Sequence, residues 1–422
     1  MYLLYVVGIA LVYILYKFRQ YLIEYATMSY RCYFAFKRLP GPKSYPLLGS
    51  PRTYELDNAK FSYAFEEMAR EYLLEDPLAN GLIGMWAGPM PVLIIAKPDY
   101  VRIVLESNSL ITKAVLYEPL AKWIGTGLLI STNEKWFARR KLISPTFHFN
   151  ILKGYFEIFA QQGEILAQCM EKDADTETEV DLFPYIKKCA IDIICETAMG
   201  YQLNSQTGGN FQYVEDVVEI SDLVWDAIRL PWNWVTPIWY ATGSGFRFDK
   251  LVKRTNDFTI QVIKDRRNTL TEEGLLDEHV NEEALKKRRM IFLDMLLMAQ
   301  KTHNLSDEDI REEVDTFMFE GHDTTASGMG FAVWLIGQYP QYQQRIHDEI
   351  DDVFGDSDRV PTESDMKRLV FLEWCIKEAL RLFPSVSIIA RKLTEDLVMD
   401  DYVFPKNMTV GIAPVISHRN PN

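Results

Sequence analysis

A mainly α fold with a small β region is what these 422 residues predict, and three observations carry the prediction. Between residue 98 and Gln300 the apolar spacing is mostly helical, over roughly 98–107, 133–143, 150–171, 183–200, 211–229 and 247–268. Alternation with a period of two is confined to Gly81–Ala96, which reads as a strand, a Gly-Pro-Met-Pro turn and a second strand over Val92–Ala96. Third, a helical run starting at Ser306-Asp-Glu-Asp309 is long enough to cross the domain; Ser306 is its N-cap and Asp309 is close to capping-box position.

Taken in order, the chain begins with the uncharged run Met1 to Tyr16. As a helix this run spans roughly 24 Å, short of the roughly 30 Å hydrocarbon core of a bilayer, and Lys17 and Arg19 can snorkel to close part of the gap. A cleaved secretory signal puts its basic residues first, whereas here Lys17, Arg19, Arg31, Lys37, Arg38 and Lys43 follow, against Glu24 alone. The expectation is a signal-anchor helix over 1–18 with the body of the chain in the cytosol. Tyr21 to Phe36 is a second amphipathic stretch, suited to lying on the interface. Residues 19–51 read as a basic, proline-rich linker, with four prolines and two glycines between Leu39 and Pro51 making a stiff irregular segment. Between Thr269 and Arg289, acidic residues precede Lys286, Lys287, Arg288 and Arg289, a solvated connection. In the helix from Trp374, Glu378 and Arg381 stand at i, i+3 and can pair before Pro384 stops it. Alone, such a pair occurs on most helices and contributes about 0 to 1 kcal/mol. Short extended runs continue to Gly411, and no internal repeat is evident.

Composition bounds the function. With 48% hydrophobic residues the chain can bury a large core, as one domain or two. A net charge of −14 argues against nucleic acid as a partner. Five cysteines without framework spacing fit reduced thiols rather than a disulfide scaffold, which leaves the sequons at Asn304 and Asn407 unused. No metal-ligand spacing is apparent.

The chemistry is concentrated in residues 313–328. Glu320, His322, Asp323, Thr324 and Thr325 stand inside an apolar helical stretch, flanked by Phe317-Met318-Phe319 and by Gly-Met-Gly-Phe-Ala-Val-Trp-Leu-Ile after Ser327. Such a helix is buried, and buried polar groups need partners or a task. Glu320, Asp323 and Thr324 fall at i, i+3 and i+4 and share one face. Thr324 can return its hydroxyl to the Glu320 carbonyl, and Gly321 weakens the same turn, so a kink or bulge is expected there. His322 points about 100° away from Asp323. A transporter-like or purely structural helix carrying a polar cluster is the alternative.

Glu320-Gly321-His322-Asp323-Thr324-Thr325 resembles the oxygen-activating central helix of the cytochromes P-450, haem-thiolate monooxygenases whose usual pattern is Ala/Gly-Gly-x-Asp/Glu-Thr-Thr/Ser. Glu320 replaces the usual small residue, and that departure resembles family 4, the fatty-acid omega-hydroxylases. Glu378 and Arg381, followed by Phe383-Pro384 and then Arg391, resemble the family's Glu-x-x-Arg helix, which would lock the core behind the haem. Trp136 and Arg140 resemble its Trp-x-x-x-Arg helix, whose two residues meet a haem propionate; guanidinium and indole N–H both suit a carboxylate. Without the family, those two are an ordinary amphipathic pair. Arg391 is similar to the second propionate partner, and residues 39–51 to the hinge of microsomal members.

The resemblance implies a cytochrome P-450 fold and haem b. Its implied partners are NADPH-cytochrome P-450 reductase, O2, a lipophilic small molecule and a membrane, and its implied location is the endoplasmic reticulum membrane, single-pass, with the catalytic domain cytosolic. It assigns Thr324 a hydrogen bond to the bound oxygen, Asp323 a proton relay, and Glu320 an ester to a haem methyl. Trp225, Trp232, Trp234 and Trp239 read equally as a membrane-facing lipid entrance or as core packing. A family member would continue past Asn422 into a Phe-x-x-Gly-x-Arg-x-Cys-x-Gly loop carrying the axial thiolate. None of Cys32, Cys169, Cys189, Cys195 and Cys375 has that setting. The expectation is therefore a monooxygenase domain over 52–422 that is C-terminally incomplete, lacks its axial Cys and is inactive unless extended. A xenobiotic- or hormone-oxidising member, and a haemless, inactive membrane-anchored product, remain alternatives.

Overall fold

The computed structural model describes residues 2–45, 48–75, 80–174, 179–209, 212–276, 291–357 and 359–420. They form two units, one of Met1–Leu116 with Ile388–Asn422 and one of Tyr117–Ser387. From 277 to 290 the expected charged connection lies outside the described residues.

The first unit is built on a sheet. It contains helices α1 (Tyr2–Phe36), α2 (Asn58–Ala69) and α3 (Pro98–Leu105), with strands β1 (Leu82–Ala87), β2 (Met90–Ile95), β3 (Ile389–Lys392), β4 (Leu397–Met399), β5 (Tyr402–Phe404) and β6 (Thr409–Ile412). Four strands run in the order β1-β2-β6-β3, with β2 and β6 parallel and the other neighbours antiparallel; β4 and β5 form a separate hairpin. The β1–β2 turn is tighter than the sequence predicts: Ala87 pairs with Met90, so only Gly88 and Pro89 make the turn, and Gly88 takes φ +57°. Because side chains alternate along a strand, Leu82, Leu93 and Ile95 pack on one face with Met28, Cys32, Tyr100 and Val104. Ile83, Met85, Val92 and Ile94 pack on the other with Met68 and Leu73.

This packing changes the reading of the N-terminus. Helix α1 is continuous through Phe36, so the expected anchor and the first half of the expected 19–51 linker form one helix, and the irregular segment follows it. The face of Tyr21–Phe36 expected to rest on a membrane interface instead sends Met28 and Cys32 into the unit's core, because they meet the apolar face of the sheet. Tyr21, Ile23, Tyr30 and Tyr33 remain exposed on α1. Among the described residues no helix is long and apolar enough to cross a membrane. The proline-rich segment is docked on β1: Gly84 N–H donates to the Pro40 carbonyl at 3.2 Å and Ser50 N–H to that of Trp86 at 3.0 Å. A Cβ on Gly41 would lie 2.2 Å from the Gly84 carbonyl oxygen, so only glycine fits that approach.

The second unit is helical. Its helices are α4 (Glu118–Ile124), α5 (Asn133–Ile143), α6 (Phe149–Lys153), α7 (Phe156–Ala174), α8 (Phe183–Ile194), α9 (Gln212–Arg229), α10 (Thr236–Ala241), α11 (Ser244–Glu272), α12 (Phe292–Thr302), α13 (Asp307–Gln338), α14 (Pro340–Phe354), α15 (Glu363–Met366) and α16 (Val370–Leu382). Helix α13 starts at a full capping box, Ser306 Oγ accepting from Asp309 N–H and Asp309 Oδ2 from Ser306 N–H, both at 3.0 Å. It ends at Tyr339 (φ −125°), which precedes Pro340 and is pushed off helical geometry. Its fully buried Ile310, Val314 and Met318, spaced four apart, join Trp123, Ile191, Val217 and Leu293 in the core. The C-terminal third departs from the expected burial: Phe331 and Trp334 are 40% and 51% exposed and, with Phe183 and Phe383, line a cavity of about 910 Å³.

Candidate functional site

The polar stretch of α13 is a ladder of hydroxyls bonded back to their own helix. Thr324 Oγ1 donates to the Glu320 carbonyl at 2.7 Å, as the i, i+4 spacing predicts, Thr316 Oγ1 to that of Glu312 at 2.7 Å and Ser327 Oγ to that of Asp323 at 2.9 Å. The helix nonetheless stays α-helical from Asp307 to Gln338, with no π-bulge at Gly321. Gly321 serves packing instead: a Cβ there would lie 2.8 Å from the Ile194 side chain of α8. Two partners of this stretch have no signature in its own sequence. Lys187 Nζ on α8 pairs with Asp323 Oδ1 at 2.9 Å, both side chains mostly covered. Ser385 Oγ, just beyond α16, donates to the Thr324 carbonyl at 2.7 Å, and Gly328 leaves room for Ser385 and Leu380 to come that close.

His322 takes no part in that face. It is fully buried, its Nδ1 lies 2.6 Å from the Met318 carbonyl, and its ring faces Tyr213 of α9. Burial depresses its pKa, so the neutral ring donates Nδ1–H to Met318 and leaves Nε2 without a hydrogen bond. Two turns toward the N-terminus of α13, Asp315 is buried against Arg311; burial pushes its carboxyl up to about 7 against the pull of Arg311 and the Thr259 hydroxyl.

Helix α5 carries Trp136 and Arg140 on one stripe and Lys135 and Arg139 on the next. The inner stripe is Lys135 and Arg139, which pair with Asp309, Glu312 and Glu313 of α13. Arg139 is buried, Trp136 half-buried and Arg140 exposed. Among the described residues neither the Trp136 indole N–H nor the Arg140 guanidinium has an acceptor. In the first unit, Arg391 lies on β3 opposite Val410 and donates only to the neighbouring Ala390 carbonyl, at 3.1 Å, with no acidic partner among the described residues. On α5, donors left without acids suit a carboxylate. Glu378 and Arg381 form a two-point pair at 2.7 Å on α16, and each side chain is about half exposed. Its effect on stability is that of a surface pair, about 0 to 1 kcal/mol.

Of the five thiols, Cys32, Cys189 and Cys195 are buried and Cys169 and Cys375 partly so. Burial raises Cys32 to about 12 and Cys189 to about 11, pushes Cys195 higher still and also raises Cys375, while Cys169 Sγ rests 3.5 Å from the Gln206 carbonyl. Among the described residues no group of three or more His, Cys, Asp or Glu could hold a metal ion. Of the tryptophans singled out from sequence, Trp225, Trp232 and Trp234 reach the surface and Trp239 is in the core.

Residues 39–422 match the family described as Cytochrome P450. Cytochrome P450 4V2 of Homo sapiens is 39% identical over 383 residues, covering 90% of this chain and 72% of its own length. Cytochrome P450 4d2 of Drosophila melanogaster is 40% identical over 387 residues (89% and 75%), and Cytochrome P450 4F1 of Rattus norvegicus 33% over 410 (95% and 77%).

Proposed function

The chain belongs to the cytochrome P450 family, and from that premise we propose that it inserts one oxygen atom of O2 into a fatty acid or similar lipophile, at or near the chain terminus. The family is one of haem-dependent monooxygenases. The observation that carries the finer reading is Glu320, four residues before Thr324 on an unbroken α13 and taking the place of the family's usual small residue. Relatives whose names place them in family 4 support the same choice.

The residues present suit the cofactor. Within the helical unit, Trp136 and Arg140 would supply donors for a haem carboxylate, and α13 presents Glu320 and Thr324. When bound, the haem iron supplies the oxygen chemistry; the chain supplies positioning and protons. Thr324 holds a proton at Oγ1, shared with the Glu320 carbonyl. The Asp323 carboxylate is held by Lys187 and about a third exposed; released from Lys187, it would take a proton from solvent and replace the one that Thr324, the adjacent residue, gives up from Oγ1 toward O2 in the site. Ser385 steadies that turn through the Thr324 carbonyl. Glu320, next to Phe319 in the chain, would hold the haem through an ester to one of its methyl groups, the methyl being oxidised by two electrons at the expense of O2 and NADPH as the carboxylate bonds to it. None of the five cysteines is the axial ligand.

Electrons come from NADPH-cytochrome P-450 reductase, and the protein works at the endoplasmic reticulum membrane with its body in the cytosol. The uncharged start of α1 and the exposed aromatics at Tyr21, Tyr30, Tyr33, Trp232 and Trp234 support membrane attachment. The experiment is turnover, by a form of the protein that carries an axial thiolate, with reductase, NADPH and a panel of fatty acids beside a panel of drugs and steroids. Terminal hydroxylation of the fatty acids is expected, and oxidation of the second panel alone would overturn the lipid assignment. A protein of these 422 residues, reduced under carbon monoxide, should lack the Soret band of thiolate-ligated ferrous haem. A strong band would show that one of the five cysteines reaches the iron.

A further inference from the structure

Thr126 N–H donates to Glu312 Oε1 at 2.8 Å and Leu128 N–H to Glu313 Oε2 at 2.9 Å. Two consecutive carboxylates of α13 thus hold two alternate amides of the loop between α4 and α5. Thr126 Oγ1 also reaches both oxygens of Glu312, at 3.1 and 3.2 Å, and Lys135 Nζ lies 2.7 Å from both Thr126 Oγ1 and Glu312 Oε2. Arg139 contacts Asp309 and has its Nε 3.4 Å from Glu313 Oε1. The loop is pressed onto the helix. Gly125 takes φ +71°, and a Cβ there would lie 2.4 Å from Glu312 Cγ; one on Gly127 would lie 2.5 Å from Thr316 Oγ1. Glu313 is 1% exposed and Arg139 8%.

Lys135 and Arg139 stand at i, i+4, and Trp136 and Arg140 occupy the same spacing one residue on, about 100° further round the helix. Whatever fixes the first stripe therefore fixes where the second points. We infer that Asp309, Glu312 and Glu313, gripping the 125–131 loop with Lys135 and Arg139, form a clamp that sets the bearing of α5 and so aims the Trp136 and Arg140 donors. The clamp members are positioning residues for the haem carboxylates, and to that extent the inference rests on the function proposed above. Neutralisation within the cluster supports it: three carboxylates face two bases, and burial raises the Glu313 carboxyl to about 7 against the pull of the Leu128 amide, Arg139 and Lys135. A neutral Glu313 still accepts from Leu128 N–H, which is why Gln should replace it and Ala should not.

The test uses the full chain and two readouts that need no haem: hydrogen exchange of the Thr126 and Leu128 amides, and the 19F resonance of Trp136 in protein labelled with 5-fluorotryptophan, identified by Trp136→Phe. Glu313→Ala should speed exchange at Leu128 at least tenfold and shift or broaden the Trp136 resonance, and Glu313→Gln should restore both. Should Glu313→Ala fail to fold, Lys135→Met opens the same clamp from its more exposed side, with the Thr126 amide as reporter. Unchanged exchange would overturn the clamp. Faster exchange with an unmoved Trp136 resonance would leave a loop tether and overturn the positioning role. Haemin titration separates the premise: Arg140→Ala should weaken haemin binding roughly tenfold or more, in line with the loss of a charge-assisted hydrogen bond, while leaving Leu128 protected. Haemin binding indifferent to Arg140, with the clamp responding as expected, would sink the haem reading and not the clamp.

Discussion

Glu313→Gln should make the protein more stable at pH 8 while changing it little at pH 5. The carboxyl is buried beneath the 125–131 loop, and desolvation outweighs its favourable partners, so that it titrates near 7 in the folded chain against an ordinary 4.5. The sign follows from proton counting. Between those two values the folded state holds a proton that the unfolded state has released, so the contribution of Glu313 to stability is fully present below about 4.5 and declines as pH rises to about 7. Above that the loss is complete. Each tenfold change in proton affinity between the folded and unfolded chain is worth about 1.4 kcal/mol, so the ionised carboxylate costs about 3 kcal/mol at pH 8 and under about 1 kcal/mol at pH 5. Gln is neutral at every pH and keeps an acceptor for Leu128 N–H, so the variant escapes the loss. Denaturant unfolding of both proteins between pH 5 and pH 8 measures the difference. A gap that does not widen with pH, or a variant less stable than its parent at pH 8, would show that the ion pair with Arg139 outweighs desolvation and would refute the reasoning.

Other perturbations follow the same geometry. In a form of the protein that turns over, Asp323→Asn should lower kcat on the order of a hundredfold with KM little changed, the size expected for a lost proton relay, whereas equal changes in both would mean that the residue serves binding. Any form of the protein that turns over should retain part of its haem through acid–organic extraction, and Glu320→Ala should release all of it; complete extraction from the parent after turnover would exclude the ester. Deleting residues 2–20 should release the protein from microsomes in part while sparing Tyr25, Met28 and Cys32, which pack in the first unit; unaltered sedimentation with membranes would assign attachment to other surfaces. Longer deletions to residue 38 would remove core side chains and so confuse attachment with unfolding.

Contacts between residues three or four apart were the legible part. The Ser306 capping box, the return of the Thr324 hydroxyl to Glu320 and the Glu378–Arg381 pair all follow from helical spacing. Partners distant in sequence carry no such signal. Nothing around Lys187 announces Asp323, and nothing in Ser385 announces the Thr324 carbonyl, because only the crossing of α8 and the end of α16 over α13 brings them together. Arg139 and Arg140 are adjacent and chemically identical, and periodicity alone does not say which stripe of α5 faces α13. The amphipathic run Tyr21–Phe36 shows the same limit: its apolar face was legible, but what covers it depended on a sheet whose last strand lies near residue 412.

That sheet also sets a timetable for biosynthesis. Val92 of β2 pairs with Thr409 of β6, roughly 300 residues downstream, and β6 in turn carries β3. While the β1–β2 hairpin leaves the ribosome, its Val92–Ile95 edge has no neighbour, and at ordinary elongation rates it waits on the order of tens of seconds for one. The helical unit, contiguous from Tyr117 to Ser387, is complete before the sheet can close. Closing so long a loop is slow and entropically costly. Nascent chains stalled anywhere between residues 95 and 409 would therefore present an apolar, unpaired strand edge, the state that holdase chaperones bind and that aggregation exploits.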